Sequence, residues 1–395
     1  MTGHLVGMRA RLKGTCEMLF KTFACVFGLI LLAASISHAE TSVILADGKT
    51  ALNAALKSAH AGDTIQLAAG NYSDVAILGV NFNDAVTITS KDPTNKAVFF
   101  GLRVVNSSGL HFSNLELSSA GVSDPYYAFR VANAQNIIFS DLSIHGRLDS
   151  APSTQLSGFY IVNCSNITIS NSELYYFDTA IAENRSTYAT IANNLFHNLS
   201  KGGVEMGGNS HVTVSNNVFT DFDTAPRVHG DAIQLFTAGT KESGRDIVIA
   251  DNLFYRSGGM AIHGIFVGDE VGTLPYIDVT IVNNAIIGAS WNSITLGHAS
   301  GNLRIENNVM ATWSGTDVEA NNKTTRFLAW LRLGDLSGAA VTETGNQAQA
   351  YVHGSKSGLP PLGNALIGEV TDGGAALLRA WRSAHPGAGP LSKHL

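Results

Sequence analysis

Along most of the chain, short apolar–polar–apolar triplets recur, and each is followed by a turn carrying Asn or Asp. The series runs Ile137-Ile138-Phe139 before Asp141, Ile167-Thr168-Ile169 before Asn171, and Ala189-Thr190-Ile191 before Asn193-Asn194. It continues with Val212-Thr213-Val214 before Asn216-Asn217, Ile247-Val248-Ile249 before Asp251-Asn252, Val279-Thr280-Ile281 before Asn283-Asn284, and Leu303-Arg304-Ile305 before Asn307-Asn308. Alternation with period two and β-branched residues predicts strands, not helices. Asn and Asp tolerate the left-handed backbone a tight turn needs, and Asn can stack from one repeat to the next.

The turn residues 141, 171, 193, 216, 251, 283 and 307 are separated by 30, 22, 23, 35, 32 and 24 residues. A period near 22–24 with loops inserted into some copies predicts a solenoid. A second strand precedes each of the first. Its copies are Phe129-Arg130-Val131, Phe159-Tyr160-Ile161, Val204-Glu205-Met206, Ile233-Gln234-Leu235, Ile262-His263-Gly264-Ile265 and Ile294-Thr295-Leu296, with Ile181-Ala182-Glu183 as a looser member. Leucine-rich repeats would need helical backs, and a propeller would need four strands per longer period. The expected fold is therefore all-β, a right-handed parallel β-helix. Residues Thr50 to His60 place Ala51, Leu52, Ala55 and Leu56 on one side, a short helix suited to cap the first coil. Ala375 to Ser383 reads as a second short helix, expected to pack on the last coils.

The first residues have a different pattern. Arg9, Arg11, Lys13 and Lys21 precede an apolar run, Phe23 to Ile36, that ends in Ser37-His38-Ala39. This is the layout of a secretory signal peptide cleaved after Ala39. The alternative, a membrane anchor, would need about 20 apolar residues. The expected organisation is a signal peptide over 1–39, a β-helix over 40–354 and a tail with its short helix over 355–395, giving a secreted or periplasmic monomer.

Composition then narrows the function. The 395 residues include 40 Gly and 9 Pro, with 14% charged residues and a net charge of −6. Without residues 1–39, 21 basic residues face 30 acidic ones, or −9. That balance lacks the basic footprint of a nucleic-acid binder. Cys16 and Cys25 fall in the leader, so Cys164 stands alone and reads as a small buried hydrophobe.

Ala-Gly-Asp-Thr-Ile-Gln-Leu-Ala-Ala-Gly-Asn-Tyr over 61–72 resembles the opening of secreted β-helix carbohydrate enzymes, above all the alginate lyase and chondroitinase B type. Val98-Phe99-Phe100-Gly101-Leu102, Leu110-His111-Phe112-Ser113-Asn114-Leu115 and the later Asn-Asn-x-Phe turns continue the resemblance across most of 43–345. These motifs are shared by the whole pectate-lyase-like superfamily, so the resemblance implies architecture more strongly than substrate. It also implies a Lys–Arg catalytic pair and, in some members, calcium held by an Asn/Glu/Glu set. Here the corresponding coil reads Gly203-Val204-Glu205-Met206-Gly207-Gly208, with no lysine, and the Asp-Pro-His motif of the mannuronan C5-epimerases is missing.

The chemistry is therefore read from the coils themselves. The outward positions of the second strand are expected to be Arg130, Tyr160, Ala182, Glu205, Gln234, His263 and Thr295. Beside them, Ala128, Gly158, Ala180, Gly203, Ala232, Ala261 and Ser293 are uniformly small and suggest a trough for an extended polymer. The densest polar cluster is Arg227-Val228-His229-Gly230-Asp231, with Lys201 and Glu205 one coil before and His263 one coil after. A lyase acting on a uronate must neutralise a carboxylate, remove the C5 proton and protonate the leaving oxygen. Arg227 is assigned to the first task, and His229 and His263 to the other two in either order. Arg130, Tyr160, Lys201, Glu205, Asp231, Gln234, Lys241 and Arg245 are the candidate substrate-binding residues. Tyr126, Tyr127, Tyr175 and Tyr176 join Tyr160 as candidate stacking surfaces for sugar rings. Asp178, Glu183, Glu205 and Asp231 are candidate ligands for calcium, which takes six to eight oxygens, the alternative being hydrogen-bonded turn and strand carboxylates with no cofactor. The expected partner is an acidic polysaccharide, with no nucleic acid and no membrane after cleavage. The reading is a polysaccharide lyase. A glycoside hydrolase, a uronate C5-epimerase and a non-catalytic carbohydrate-binding β-helix remain as alternatives.

Overall fold

The computed structural model describes residues 41–151, 155–224, 230–290, 292–313, 328–336 and 338–390. The signal peptide expected over 1–39, together with Arg227 and His229, lies outside the described residues.

Successive coils stack through parallel strands that form three faces. Face A contains Tyr127–Ala132, Ser157–Val162, Thr179–Asn184, Gly202–Gly207, Asp231–Phe236, His263–Val267 and the first part of Asn292–Glu306. Face B follows each of these with strands such as Ser165–Ser170, Thr187–Ala192, Ser210–Ser215 and Arg245–Ala250. Face C is built from three-residue strands, including Leu195–His197, Val218–Thr220 and Leu253–Tyr255. Each face pairs only with the same face of the next coil; the pairing of Ala350–His353 with Lys356–Gly358 is an antiparallel exception near the end. The fold is the right-handed parallel β-helix expected from the repeat.

Alternation sends Ile167/Ile169, Val212/Val214 and Ile247/Ile249 of face B inward, where they meet Phe159/Ile161, Val204/Met206 and Ile233/Leu235 of face A. Face C contributes one large residue per coil. Phe196, Phe219 and Phe254 stack with centroids 4.6 and 4.9 Å apart. Each buried aliphatic or aromatic side chain contributes about 1.5–3 kcal/mol, so every coil helps hold the next.

The B-to-C turns combine two tasks in adjacent residues. Asp141, Asn171, Asn193, Asn216, Asp251, Asn283 and Asn307 take φ values of 49–58°. The following residue turns inward. Asn194, Asn217, Asn252, Asn284, Asn308, Asn346 and Asn364 form a ladder in which each side-chain amide donates to the next Oδ1, over 2.9–3.1 Å. The same Oδ1 accepts the backbone N–H of the preceding Asn, and each Nδ2 also reaches a strand carbonyl. The buried amides of the ladder are thereby satisfied inside an apolar core.

Helix α1, Gly48–Ser58, buries Leu52, Ala55 and Leu56 and covers the first coil. Helix α2, Ala375–Ala384, does not sit on the last coils. The tail runs back along the helix so that Trp381 packs with Leu195, Val218, Leu253, Ala285 and Ile287. The first four form an apolar outward row, with Ile287 in the row beside it, that would otherwise face water. Gly389 N–H donates to the Asn216 carbonyl and fastens the tail there. Among the described residues, no helix is long and apolar enough to cross a membrane.

Candidate functional site

Strand register decides what meets on face A. Arg103, Arg130, Tyr160, Ala182, Glu205 and Gln234 are partners from coil to coil, but the next member is Phe266, then Thr295 and Arg332. His263 is therefore not in that row. The strand starts at His263 and sends Ile265 and Val267 inward, so His263 is paired with Asp231 in a neighbouring outward row. That second row runs Tyr127, Ser157, Thr179, Gly202, Asp231, His263, Asn292.

The expected trough of small residues is absent. Ala128, Gly158, Ala180, Gly203, Ala232 and Ser293 are buried, with Gly264 and not Ala261 continuing the row. They are small because the backbone bends there towards the face C side chains. A Cβ on Gly158 would lie 2.5 Å from the Ala180 carbonyl oxygen. One on Gly203 would lie 2.7 Å from the Phe219 ring. Core packing, not ligand access, sets their size.

The two outward rows carry the chemistry. At the centre, Asp231 Oδ1 is 2.8 Å from His263 Nδ1, and both residues are buried. Asn292 Nδ2 lies 3.3 Å from His263 Nε2, while Asn292 Oδ1 accepts from Trp330 Nε1–H at 2.9 Å and from the Thr295 hydroxyl at 3.0 Å. An indole nitrogen only donates, so the Asn292 atom facing it must be oxygen and the other must be the NH₂. His263 Nε2 then accepts, and Nδ1 carries the proton given to Asp231. The network thus selects the tautomer with the proton on Nδ1 and the lone pair on Nε2.

One coil before, Lys201 Nζ is 3.1 Å from Glu205 Oε1, and the Thr179 hydroxyl donates to the same oxygen at 3.0 Å. Burial lowers the pKa of the Lys201 ammonium, but Glu205, by charge and by hydrogen bond, more than offsets this and raises it. Farther along, the Tyr127 and Tyr160 rings stack at 4.6 Å, and the Arg130 guanidinium sits 5.4 Å from the centre of the Tyr160 ring. Burial, followed by the nearby Tyr160 and Glu205, pushes the Tyr127 hydroxyl upward.

Of the candidates from sequence, Arg130, Tyr160, Lys201, Glu205, Asp231, Gln234 and His263 share this side of the molecule. Lys241 and Arg245 do not. Arg245 opens a face B strand and Lys241 sits in the loop before it. Tyr175 lies on face C between the rings of His145 and His197, and Tyr176 packs edge-on against it. Trp330, Asn292 and Phe266 were missed. The Ile265-Phe266-Val267 alternation carried the signal for Phe266, whereas the contact of Trp330 with Asn292 spans 38 residues.

The four carboxylates considered for calcium do not converge. Glu183 occupies an inward position, in register with Ile161 and Met206, and is 1% exposed. Burial raises its carboxyl to about 8, and Oε1 has no hydrogen-bond partner. Asp178 accepts from the Ser200 hydroxyl at 2.9 Å, while Glu205 and Asp231 are held by Lys201 and His263. Among the described residues, no group of three or more His, Cys, Asp or Glu is arranged to hold a metal ion. Cys164 is buried, its Sγ directed at the Val131 and Val162 carbonyls, and burial pushes its thiol up.

A loop beyond face A holds a second Asp–His pair. Asp269 accepts from His298 Nδ1 at 2.7 Å, from the Thr237 hydroxyl at 2.7 Å and from the backbone N–H groups of Gly272 and Leu274. Burial works to raise its pKa, but these four donors outweigh it and hold the carboxyl at about 2. The donors include the loop's own backbone, so this pair fixes the loop over residues 268–275.

No curated protein matches the chain in sequence. Among solved structures, the Agl-KA catalytic domain is 16% identical with a TM-score of 0.52; the match covers 81% of this chain and 63% of that one, under two thirds of its length. An alginate lyase from Paenibacillus sp. str. FPU-7 is 16% identical with a TM-score of 0.47, over 83% of this chain and 99% of that one. PfbA, a surface adhesin of Streptococcus pneumoniae, is 14% identical with a TM-score of 0.45, over 78% and 86%. At such identities the likeness is one of fold. The family described as the right-handed β-helix region matches residues 100–310, just over half of the sequence. Repeat, register and this match agree that the chain belongs to the right-handed β-helix family.

Proposed function

We propose that the protein is a secreted or periplasmic monomeric lyase that cleaves a uronic-acid-containing polysaccharide by β-elimination. The observation that carries this reading is the Asp231–His263 pair, whose tautomer leaves a basic Nε2, set in a line of cationic, aromatic and hydrogen-bonding side chains along face A. In the proposed reaction Nε2 of His263 takes the C5 proton of a uronate, and Asp231 stabilises the imidazolium that forms. The electron pair is held on the uronate carboxylate as an enolate and then forms the C4=C5 double bond as the C4–O bond breaks, its pair leaving with the oxygen. Arg227 is assigned to balance the carboxylate charge, and His229 to return a proton to the departing oxygen. Glu205 and Gln234 position the sugar, with Lys201, Arg130 and Tyr160 extending the binding line.

Elimination leaves a conjugated double bond that absorbs near 235 nm, which hydrolysis, epimerisation and binding do not produce. A panel of uronate polymers followed at that wavelength tests the reading, with His263→Ala as the control. Product from the parent and a loss of at least about a hundredfold in the variant support it. Equal rates in the two proteins, or no product from any uronate polymer, overturn it.

A further inference from the structure

At the other end of face A, Arg103 and Arg130 are register partners on adjacent coils. Adjacent strands in a sheet lie about 4.8 Å apart, so two guanidinium groups project side by side. Both are exposed, and neither has an acidic side chain within ion-pair distance among the described residues; the Arg130 guanidinium lies over the Tyr160 ring. Like charges in register disfavour folding unless something neutralises them. This is notable in a chain whose acidic residues outnumber its basic ones.

The pair borders a cavity of about 430 Å³, lined also by Asp74, Ser123, Asp124 and Tyr127. The backbone N–H groups of Tyr126 and Tyr127 both donate to Asp124 Oδ1, at 2.8 and 3.0 Å, which fixes the entry to the Tyr127 strand. Tyr127, stacked on Tyr160, then forms an aromatic wall beside the two cations. The cavity thus offers planar bidentate donors for a carboxylate, a ring surface for the apolar side of a sugar, and two carboxylates able to accept from hydroxyls. Asp74 and Asp124 also repel a ligand with more than one charge per sugar, so a polyuronate suits the site better than a sulfated glycan.

Arg130 is five coils from His263, or about 24 Å along the axis, a span of several sugar rings. We infer that Arg103 and Arg130 form a distal carboxylate subsite that grips an acidic polysaccharide far from the bond being cut and makes the protein select long chains. This rests on the lyase reading for the identity of the ligand, but not for the existence of the subsite.

The test is binding of a graded oligouronate series, disaccharide to decasaccharide, measured by calorimetry on the full protein and on an Arg103→Gln/Arg130→Gln variant. Both arginines are exposed, and an Arg103→Lys/Arg130→Lys variant controls for folding while retaining charge. For the parent, affinity should rise with chain length, and a sulfated galactan should bind more weakly. In the Gln variant the rise should vanish, at a loss of about tenfold per arginine for the decasaccharide. A parent whose affinity does not depend on length, or a Gln variant that retains the dependence, overturns the subsite. Arginine-dependent binding without any product at 235 nm would leave the subsite standing and remove the lyase reading. Cleavage with no effect of the arginines on binding would do the reverse.

Discussion

Glu183 offers the most quantitative test of the packing. Its carboxyl lies in the core between Ile161 and Met206, and burial holds it at about 8, against an ordinary value of 4.5. Between those two values the unfolded chain loses the proton while the folded one keeps it. Stability is therefore full below pH 4.5, falls as pH rises, and levels off above about 8, once both states are ionised. The slope is about 1.4 kcal/mol per pH unit, so from pH 5 to 7.5 the loss is about 3 kcal/mol. For a folded unit of roughly 350 residues, an unfolding entropy near 2.1 cal/mol/K per residue turns this into about 4 °C of melting temperature. Glu183→Gln keeps the shape and removes the titration. Thermal melting of the two proteins from pH 4.5 to 9 should show the variant gaining on the parent by about 4 °C between pH 5 and 7.5, with no further change above pH 8.5. Glu183→Met, matching Met206 in the next coil, should be at least as stable at neutral pH. Parallel curves would mean that the folded carboxyl ionises normally, and the reasoning would fail.

Three further predictions rest on other parts of the structure. Asn252→Ala removes four ladder bonds, leaving the Asn217 backbone N–H without its acceptor and the Asn217 side-chain amide with only the Ile191 carbonyl, so denaturant unfolding should show a loss of about 3 kcal/mol or more. Asp269 is depressed to about 2, so its contribution, about 2 kcal/mol, is present above its ordinary pKa of 3.8 and lost as pH falls towards 2; Asp269→Asn should abolish that acid limb and speed hydrogen exchange in the loop over 268–275. Trp330→Phe frees the Asn292 amide to flip, so kcat should fall while KM changes little; an unchanged kcat would argue against the tautomer assignment.

The architecture was legible because it is written repeatedly: inward pairs such as Val212/Val214 and Ile247/Ile249, and Asn pairs at the B-to-C turns 193–194, 216–217, 283–284 and 307–308. In each Asn pair, one residue supplies the left-handed backbone and the other the ladder. The site was legible only in part. Aligning Ile262-His263-Gly264 with Ile233-Gln234-Leu235 put His263 one row away from its true place, because the inserted residues before it shift the strand start. The better alternation, Ile265-Phe266-Val267, would have set His263 beside Asp231. The row of small residues was misread for a related reason, since composition cannot tell a position that faces a ligand from one pressed against Phe219. Glu183 is a candidate ligand by charge alone, although its place in the alternation is inward. The contacts of Asn292 with Trp330 and of Arg103 with Arg130 depend on coil stacking, which no local pattern displays.

The most direct test of the central claim is absorbance near 235 nm on uronate polymers, comparing the parent with His263→Ala, with and without EDTA. Asp231 and Glu205 are engaged by His263 and Lys201, so the account predicts parental activity that persists in EDTA and is lost in the variant. Activity that survives the His263 substitution, or the absence of any unsaturated product across the panel, would contradict it.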